Sequence, residues 1–166
     1  IILLDGWSKT YAMTGWRVGY SVWPNSLVKI SERLNINSFS CTNAPAQYGA
    51  LAALEGPQEC VKIMTSAFDR RRKLIFEEVN KLNGFKCNIS KGAFYSMPSI
   101  EGTGLSSDKI EDILLNKLGI TTVSGKSFGV FGEGYIRLSY ASSDENIKKA
   151  MYRIKEFIET VGWHNA

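Results

Sequence analysis

Histidine is almost absent from this chain: His164 is the only one in 166 residues, and it lies third from the C-terminal end. A lone terminal histidine reads as a solvated tail residue, so histidine-based acid–base chemistry is not expected, and neither is a histidine metal site. Cysteine is scarce as well. Cys41, Cys60 and Cys87 are odd in number and match no zinc or disulfide spacing. Each sits in an apolar context, which predicts buried free thiols in a reducing, cytoplasmic setting. No metal site is expected. No apolar run approaches the ~18–20 residues that span a bilayer, so membrane association is not expected. Ile1-Ile2-Leu3-Leu4 has no basic lead and runs straight into Asp5, which argues against a secretory signal. Excess charge is missing too: 20 basic residues stand against 16 acidic ones, a net +4. The basic residues are scattered over helices rather than interleaved with aromatics, so no nucleic-acid partner is expected.

What remains is a globular composition, 44% hydrophobic and 22% charged, in a length that suits one domain or one and a half. Ile1–Leu4 reads as a fully buried strand of the parallel-sheet kind, which needs neighbours on both sides and suggests a chain beginning in mid-fold. Residues 6–15 read as a loop, and Arg17–Trp23 as a second strand stopped by Pro24. Asn25 or Ser26 is expected to cap a helix with Leu27, Ile30 and Leu34 on one face. Residues 35–44 read as irregular. Pro45 opens an alanine-rich helix that stops at Gly56. Pro57 opens the longest helix, with Val61, Met64, Phe68, Ile75, Val79 and Leu82 as its stripe and Gly84 as its stop. Its basic run, Arg70-Arg71-Arg72-Lys73, reads as a solvated face.

The texture changes after Gly84. Phe85, Cys87 and Ile89 alternate as in a half-buried strand. Further strands are predicted at Ala93–Met97, Ile120–Val123 and Tyr135–Tyr140. Ser106 or Ser107 caps a helix carrying Ile110, Ile113, Leu114 and Leu118. Ser142 with Glu145 forms a capping-box pattern before a last helix with the stripe Ile147, Met151, Ile154, Ile158 and Val161. The fold class is therefore α/β with an α+β second part. Residues 1–56 form a piece of an α/β layer, 57–84 a connecting helix and 85–166 a small C-terminal domain.

Chemistry concentrates in Gly6-Trp7-Ser8-Lys9 and Gly15-Trp16-Arg17-Val18-Gly19. Lys9 closely follows a strand, where the ligands of open α/β sheets gather. A partly desolvated lysine there is a nucleophile toward carbonyls. Arg17, eight residues on, offers a guanidinium fork for a phosphate. Gly15 and Gly19 leave room for close backbone approach. Taken alone these roles are weakly supported: a lysine near a strand end is usually a surface lysine, and Arg17 reads as an ion pair on the strand edge.

The combined spacing resembles the cofactor-attachment motif of class I/II aminotransferases of pyridoxal-phosphate (PLP) fold type I. Gly6 stands where many members have a serine that contacts the phosphate, so only its backbone N–H could serve. Trp7 is larger than usual. Downstream, Gly134-Tyr135-Ile136-Arg137-Leu138-Ser139-Tyr140 resembles the family's strand carrying the substrate-carboxylate arginine. Strand alternation turns Arg137 away from Ile136 and Leu138. Lys91–Tyr95 and Gly125–Gly129 also look like family signatures, although core packing accounts for Phe94 and Tyr95.

The resemblance implies the C-terminal portion of a fold type I PLP-dependent transferase, with part of the large-domain sheet joined by a long helix to the small domain. It implies that Lys9 forms the imine with PLP and shuttles the proton, that Arg17 binds the cofactor phosphate, and that Arg137 binds the substrate α-carboxylate. It further implies L-amino-acid and 2-oxo-acid substrates and a homodimeric full-length enzyme, with the present chain inactive or nearly so by itself. Two other readings share the fold: a β- or γ-eliminating lyase and the aminotransferase-like effector domain of a transcription regulator.

Overall fold

The computed structural model describes residues 1–163. Its contacts divide the chain into two compact units, Ile1–Thr65 and Ser66–Ala166. His164 lies outside the described residues. No helix among those described is long and apolar enough to cross a membrane.

The first unit opens with β1 (Leu3–Gly6), which pairs antiparallel with β2 (Gly19–Val22) in the register Leu3↔Val22 to Gly6↔Gly19. The expected buried parallel strand at Ile1–Leu4 is thus displaced by two residues and antiparallel. Leu4 is 75% exposed and Val22 56%. Apolarity at these positions reports a surface suited to burial, which this unit alone does not cover. Residues 6–15 are not simply a loop: β1 runs directly into a single helical turn, α1 (Trp7–Thr10). A second tight turn covers Thr14–Trp16. Arg17 does not start a strand either. It takes a left-handed backbone (φ 53°, ψ 46°) at the end of that turn, and the strand begins two residues later.

Helix α2 (Asn25–Phe39) follows Pro24, which occupies the cap position without a side-chain hydrogen bond, so neither Asn25 nor Ser26 caps it. It continues through residues expected to be irregular, because a run such as Asn35-Ile36-Asn37-Ser38-Phe39 costs only a few tenths of a kcal/mol per residue in a helix that has already nucleated. Its predicted face is open, with Ile30 and Leu34 exposed. Helix α3 (Ala44–Glu55) matches expectation closely. The Asn43 side chain accepts from the Ala46 N–H, proline sits in the first turn and Gly56 follows the last residue. Its small residues allow close packing: a Cβ on Gly49 would meet the Trp16 ring at 2.6 Å. Trp7, Met13, Val18, Ala46 and Ala50 form the core of this unit.

Helix α4 (Glu59–Val79) begins in the first unit and continues into the second. It is shorter than the predicted 57–83, because residues 80–82 close into turns before Gly84 at φ 88°. Ile75, Val79 and Leu82 from its stripe are buried. The basic run is not merely a solvated face. The Arg70 and Arg71 Nε atoms donate to Asp144 at 2.7 and 3.2 Å, and Arg72 donates to Asp69 and to the Ser90 carbonyl. Asp144 sits in the first turn of the last helix, and the two guanidinium groups hold its carboxyl below the usual carboxylate range.

The second unit is built on a three-stranded antiparallel sheet in the order β3-β5-β4, from β3 (Tyr95–Ser96), β4 (Val123–Ser124) and β5 (Ile136–Ser139). The expected strand at Phe85–Ile89 reduces to one bridge, Lys86↔Ser99, with Phe85 and Cys87 buried and Ile89 exposed. The Asn80 side chain bonds both backbone groups of Cys87 and satisfies them in place of a strand partner. Ser106 caps α5 (Ser107–Asn116), which buries Ile110, Ile113 and Leu114. The cap of α6 (Asp144–Thr160) is Ser143 accepting from Asn146 N–H, one residue beyond the predicted Ser142/Glu145 pair. Ile147, Met151, Ile154 and Phe157 point from it into a core shared with Ile136, Leu138 and the fully buried Tyr140. Of the three thiols only Cys87 is buried; Cys41 and Cys60 are exposed, contrary to expectation. Burial pushes the Cys87 thiol up in pKa, opposed by its hydrogen bond with Ser96.

Candidate active site

In the first unit the backbone is shaped tightly around the Lys9–Gly19 segment. Gly6 and Gly19 face each other across the strand pair, and a Cβ on Gly19 would lie 3.0 Å from the Asp5 carbonyl oxygen. Gly19 therefore makes the predicted close approach, whereas Gly15 has nothing within 4 Å of a Cβ and faces open space. The Gly6 N–H donates to Asp5 Oδ1 at 2.7 Å, so that donor is already used within its own strand. Trp7 packs edge-on against Tyr20 with ring centroids 5.3 Å apart, and its buried position explains why a large residue stands here. Between Trp7 and the exposed turn of the chain, Lys9 stands on α1 with its side chain on the surface.

Arg17 is exposed. Its Nη1 donates to the Thr14 carbonyl at 2.9 Å, which folds the guanidinium back over its own turn. Together with Gly15, Gly19, Thr42 and Asn43 it lines a cleft of about 890 Å³. Ala12 and Arg17 both take φ 53°. Each non-glycine residue there costs about 1–2 kcal/mol and persists only where its surroundings dictate it. Two such residues flanking one short turn mark a backbone held for the position of its side chains. The contribution of Thr42 and Asn43 to the cleft was not legible beforehand, since they enter from a turn some 25 residues beyond Arg17.

In the second unit Arg137 lies on the face of β5 opposite to the buried Ile136, Leu138 and Tyr140. Its guanidinium carbon is 4.4 Å from the Tyr95 ring centroid and 4.9 Å from that of Phe128, so it is held between two aromatic rings. Among the described residues no carboxylate lies within ion-pair distance of it. The cross-strand salt bridge that a strand arginine ordinarily makes is absent from that set. A cation stacked against rings, with no carboxylate partner among the described residues, is able to take an anion from outside. Tyr95, which core packing alone was expected to explain, divides the work with Phe94: Phe94 packs on Phe68 towards the core, while Tyr95 stacks on Arg137. Strand alternation at Ala93–Met97 carried that signal.

Solved enzymes superpose on this chain. The crystal structure of the aromatic aminotransferase from Pyrococcus horikoshii matches with a TM-score of 0.91 and 36% identity, covering 95% of this chain and 43% of that one. The aspartate aminotransferase from Rhizobium meliloti matches with a TM-score of 0.88 and 32% identity, over 93% and 41% of the two chains. The fold is that of the C-terminal part of an aspartate aminotransferase-like, fold type I enzyme. The pattern of the class I and II aminotransferases matches residues 1–154, and the chain belongs to that family. By sequence it is 38% identical over 160 residues to an aspartate aminotransferase of Pyrococcus horikoshii, and 36% identical over 160 residues to aromatic-amino-acid aminotransferase 2 of Thermococcus litoralis. Each comparison covers 95% of this chain and 41% of the relative, so the chain spans about two fifths of the length of the curated relatives it matches.

Proposed function

We propose that this chain is the C-terminal part of a PLP-dependent aminotransferase that moves an amino group between an L-amino acid and a 2-oxo acid. The observation that carries the reading is Arg137: a half-buried arginine stacked between Tyr95 and Phe128, with no acidic partner among the described residues, in a family whose substrates are carboxylates. In this reading residues 1–56 are a piece of the large cofactor-binding domain, 57–84 the connecting helix and 85–166 the small domain. The full-length enzyme works as a cytoplasmic homodimer.

The donor set fits PLP. A guanidinium at a glycine-bordered cleft suits its phosphate, and a lysine amine on the same segment suits its aldehyde. When bound, PLP supplies the electron sink for the carbanion that forms at the substrate Cα. Lys9 would hold it through the ε-amine, and that amine, once free, would take the proton from the substrate Cα onto Nζ and pass it to the carbon of the former aldehyde. Arg17 anchors the phosphate end. Arg137 takes the substrate α-carboxylate in two hydrogen bonds while Tyr95 and Phe128 keep its plane in one orientation.

Purified chain supplied with PLP, an L-amino acid and a 2-oxo acid is expected to show little or no turnover, because it spans only about two fifths of its relatives. Full transaminase turnover by this chain would contradict the fragment half of the proposal. Release of ammonia together with a 2-oxo acid, without any acceptor present, would instead establish the eliminating lyase.

A further inference from the structure

Phe128 does not reach Arg137 from the sheet. It comes from the tight turn Gly125–Phe128 that follows β4, and a second turn, Val130–Gly132, follows it. Such a turn, with Val130 and Phe131 84% and 96% exposed, has little core of its own to fix it. It is fixed instead from the N-terminal half of α5. Where the turn begins, Ser124 N–H donates to Glu111 at 3.0 Å, and Ser124 Oγ lies 2.7 Å from Asp108 Oδ1 and 2.8 Å from Ser107 Oγ. In its middle, Lys126 Nζ lies 2.8 Å from Asp108 Oδ2. Beyond its end, the Glu133 carboxylate accepts from Ser107 N–H at 2.9 Å and from Ser107 Oγ at 2.8 Å. Ser107 and Ser124 are fully buried, so the bond between their hydroxyls forms in a dry setting where geometry is strict, while the Lys126–Asp108 pair lies at the exposed edge of the network. Helix α5 is in turn anchored by Ile110, Ile113 and Leu114 in the core.

We propose that the Lys126–Asp108 pair and Glu133 are positioning residues for carboxylate recognition: they pin the Gly125–Gly132 segment to α5 and so hold Phe128 against Arg137 in the plane that receives the substrate. This rests on the reading of Arg137 as the carboxylate site. The groups are matched for the task. Lys126 holds the Asp108 carboxyl below the usual range, aided by Ser124, and Asp108 holds the Lys126 amine above its own. The Ser107 backbone and hydroxyl likewise hold the Glu133 carboxyl below the usual range. All three stay ionised at neutral pH. With their charges met locally, neither carboxylate competes for Arg137, which among the described residues has no carboxylate partner and lies against the Tyr95 and Phe128 rings.

The test is made on the 166-residue chain by NMR of the Arg137 Nε–Hε group, assigned by its disappearance in Arg137→Lys. The Tyr95 and Phe128 rings displace this signal by their ring currents. In Lys126→Met the signal is expected to move toward that of a free arginine, and in Lys126→Arg, which can still pair with Asp108, to stay in place. Titration with pyruvate is expected to show about threefold weaker binding in Lys126→Met, the scale of one partly exposed cation–π contact, and unchanged binding in Lys126→Arg. Far-ultraviolet circular dichroism that is the same for all variants excludes unfolding as the cause. An Arg137 signal that stays in place in Lys126→Met overturns the positioning role. A signal that pyruvate leaves unmoved in the wild-type chain overturns the carboxylate reading and the proposal with it, and the ligand-free ring-current response identifies which step failed.

Discussion

Arg17→Ala is expected to erase the preference of this chain for PLP over pyridoxal, the same aldehyde without the phosphate. The expectation follows from the guanidinium at the 890 Å³ cleft, which has only the Thr14 carbonyl to satisfy among its described contacts. A charge-assisted hydrogen-bonded contact between arginine and phosphate contributes about 1.5–3 kcal/mol, or roughly 10- to 100-fold in affinity. The substitution is mild for the fold. Alanine meets the same left-handed backbone penalty at φ 53° that arginine already bears, and Arg17 lies outside the core of its unit. The comparison with pyridoxal removes general effects on lysine reactivity, because both aldehydes report the same amine. A PLP preference of the same size in the variant would show that Arg17 is not the phosphate ligand.

Gly125→Ala is expected to destabilise the second unit strongly. A Cβ at Gly125 would stand 2.6 Å from the Tyr135 carbonyl oxygen and closer still to that of Gly132, and both obstacles are backbone. The Gly125 N–H also donates to that same Tyr135 oxygen at 2.9 Å, so relieving the clash breaks the bond that closes the segment. Overpacking of this kind costs about 1–3 kcal/mol, which in a unit of this size lowers Tm by roughly 5–20 °C. Gly92→Ala is the control. Nothing lies within 4 Å of its Cβ and its φ is not positive, so a change within about 0.5 kcal/mol is expected. Thermal unfolding of the two variants side by side checks the contrast, and equal melting temperatures would contradict the packing described here.

The elements most legible in the sequence were those written locally. Helix α3 carries its whole address within a dozen residues: the Asn43 cap, Pro45 in the first turn, and Gly56 after the last. Strand β5 announces its buried face by alternation, and Arg137 falls on the other side as alternation requires. The errors arose where the answer lies far along the chain. Arg70 and Asp144 are 74 residues apart, so no local pattern tells a solvated basic face from a clamp on the last helix. Burial of β1 was inferred from its own side chains, but burial depends on what covers a strand, and nothing in this unit covers it. Arg17 reads as a strand residue because a non-glycine residue in the left-handed region has no sequence signal. The roles proposed for Lys9, Arg17 and Arg137 come from the resemblance that their motifs carry. Phe128 was not legible, because it reaches Arg137 from a turn whose course is set by Lys126, Asp108 and Glu133.

The account stands on Lys9 as the residue that takes the cofactor. The most direct test adds PLP to the purified chain, traps the product with borohydride and maps the modified lysine by mass spectrometry, with Lys9→Ala alongside. The account predicts reduced PLP concentrated on Lys9 and, in Lys9→Ala, labelling that falls to the level of the other exposed lysines. Labelling spread evenly over the surface lysines, with Lys9 no different from the rest, would contradict it.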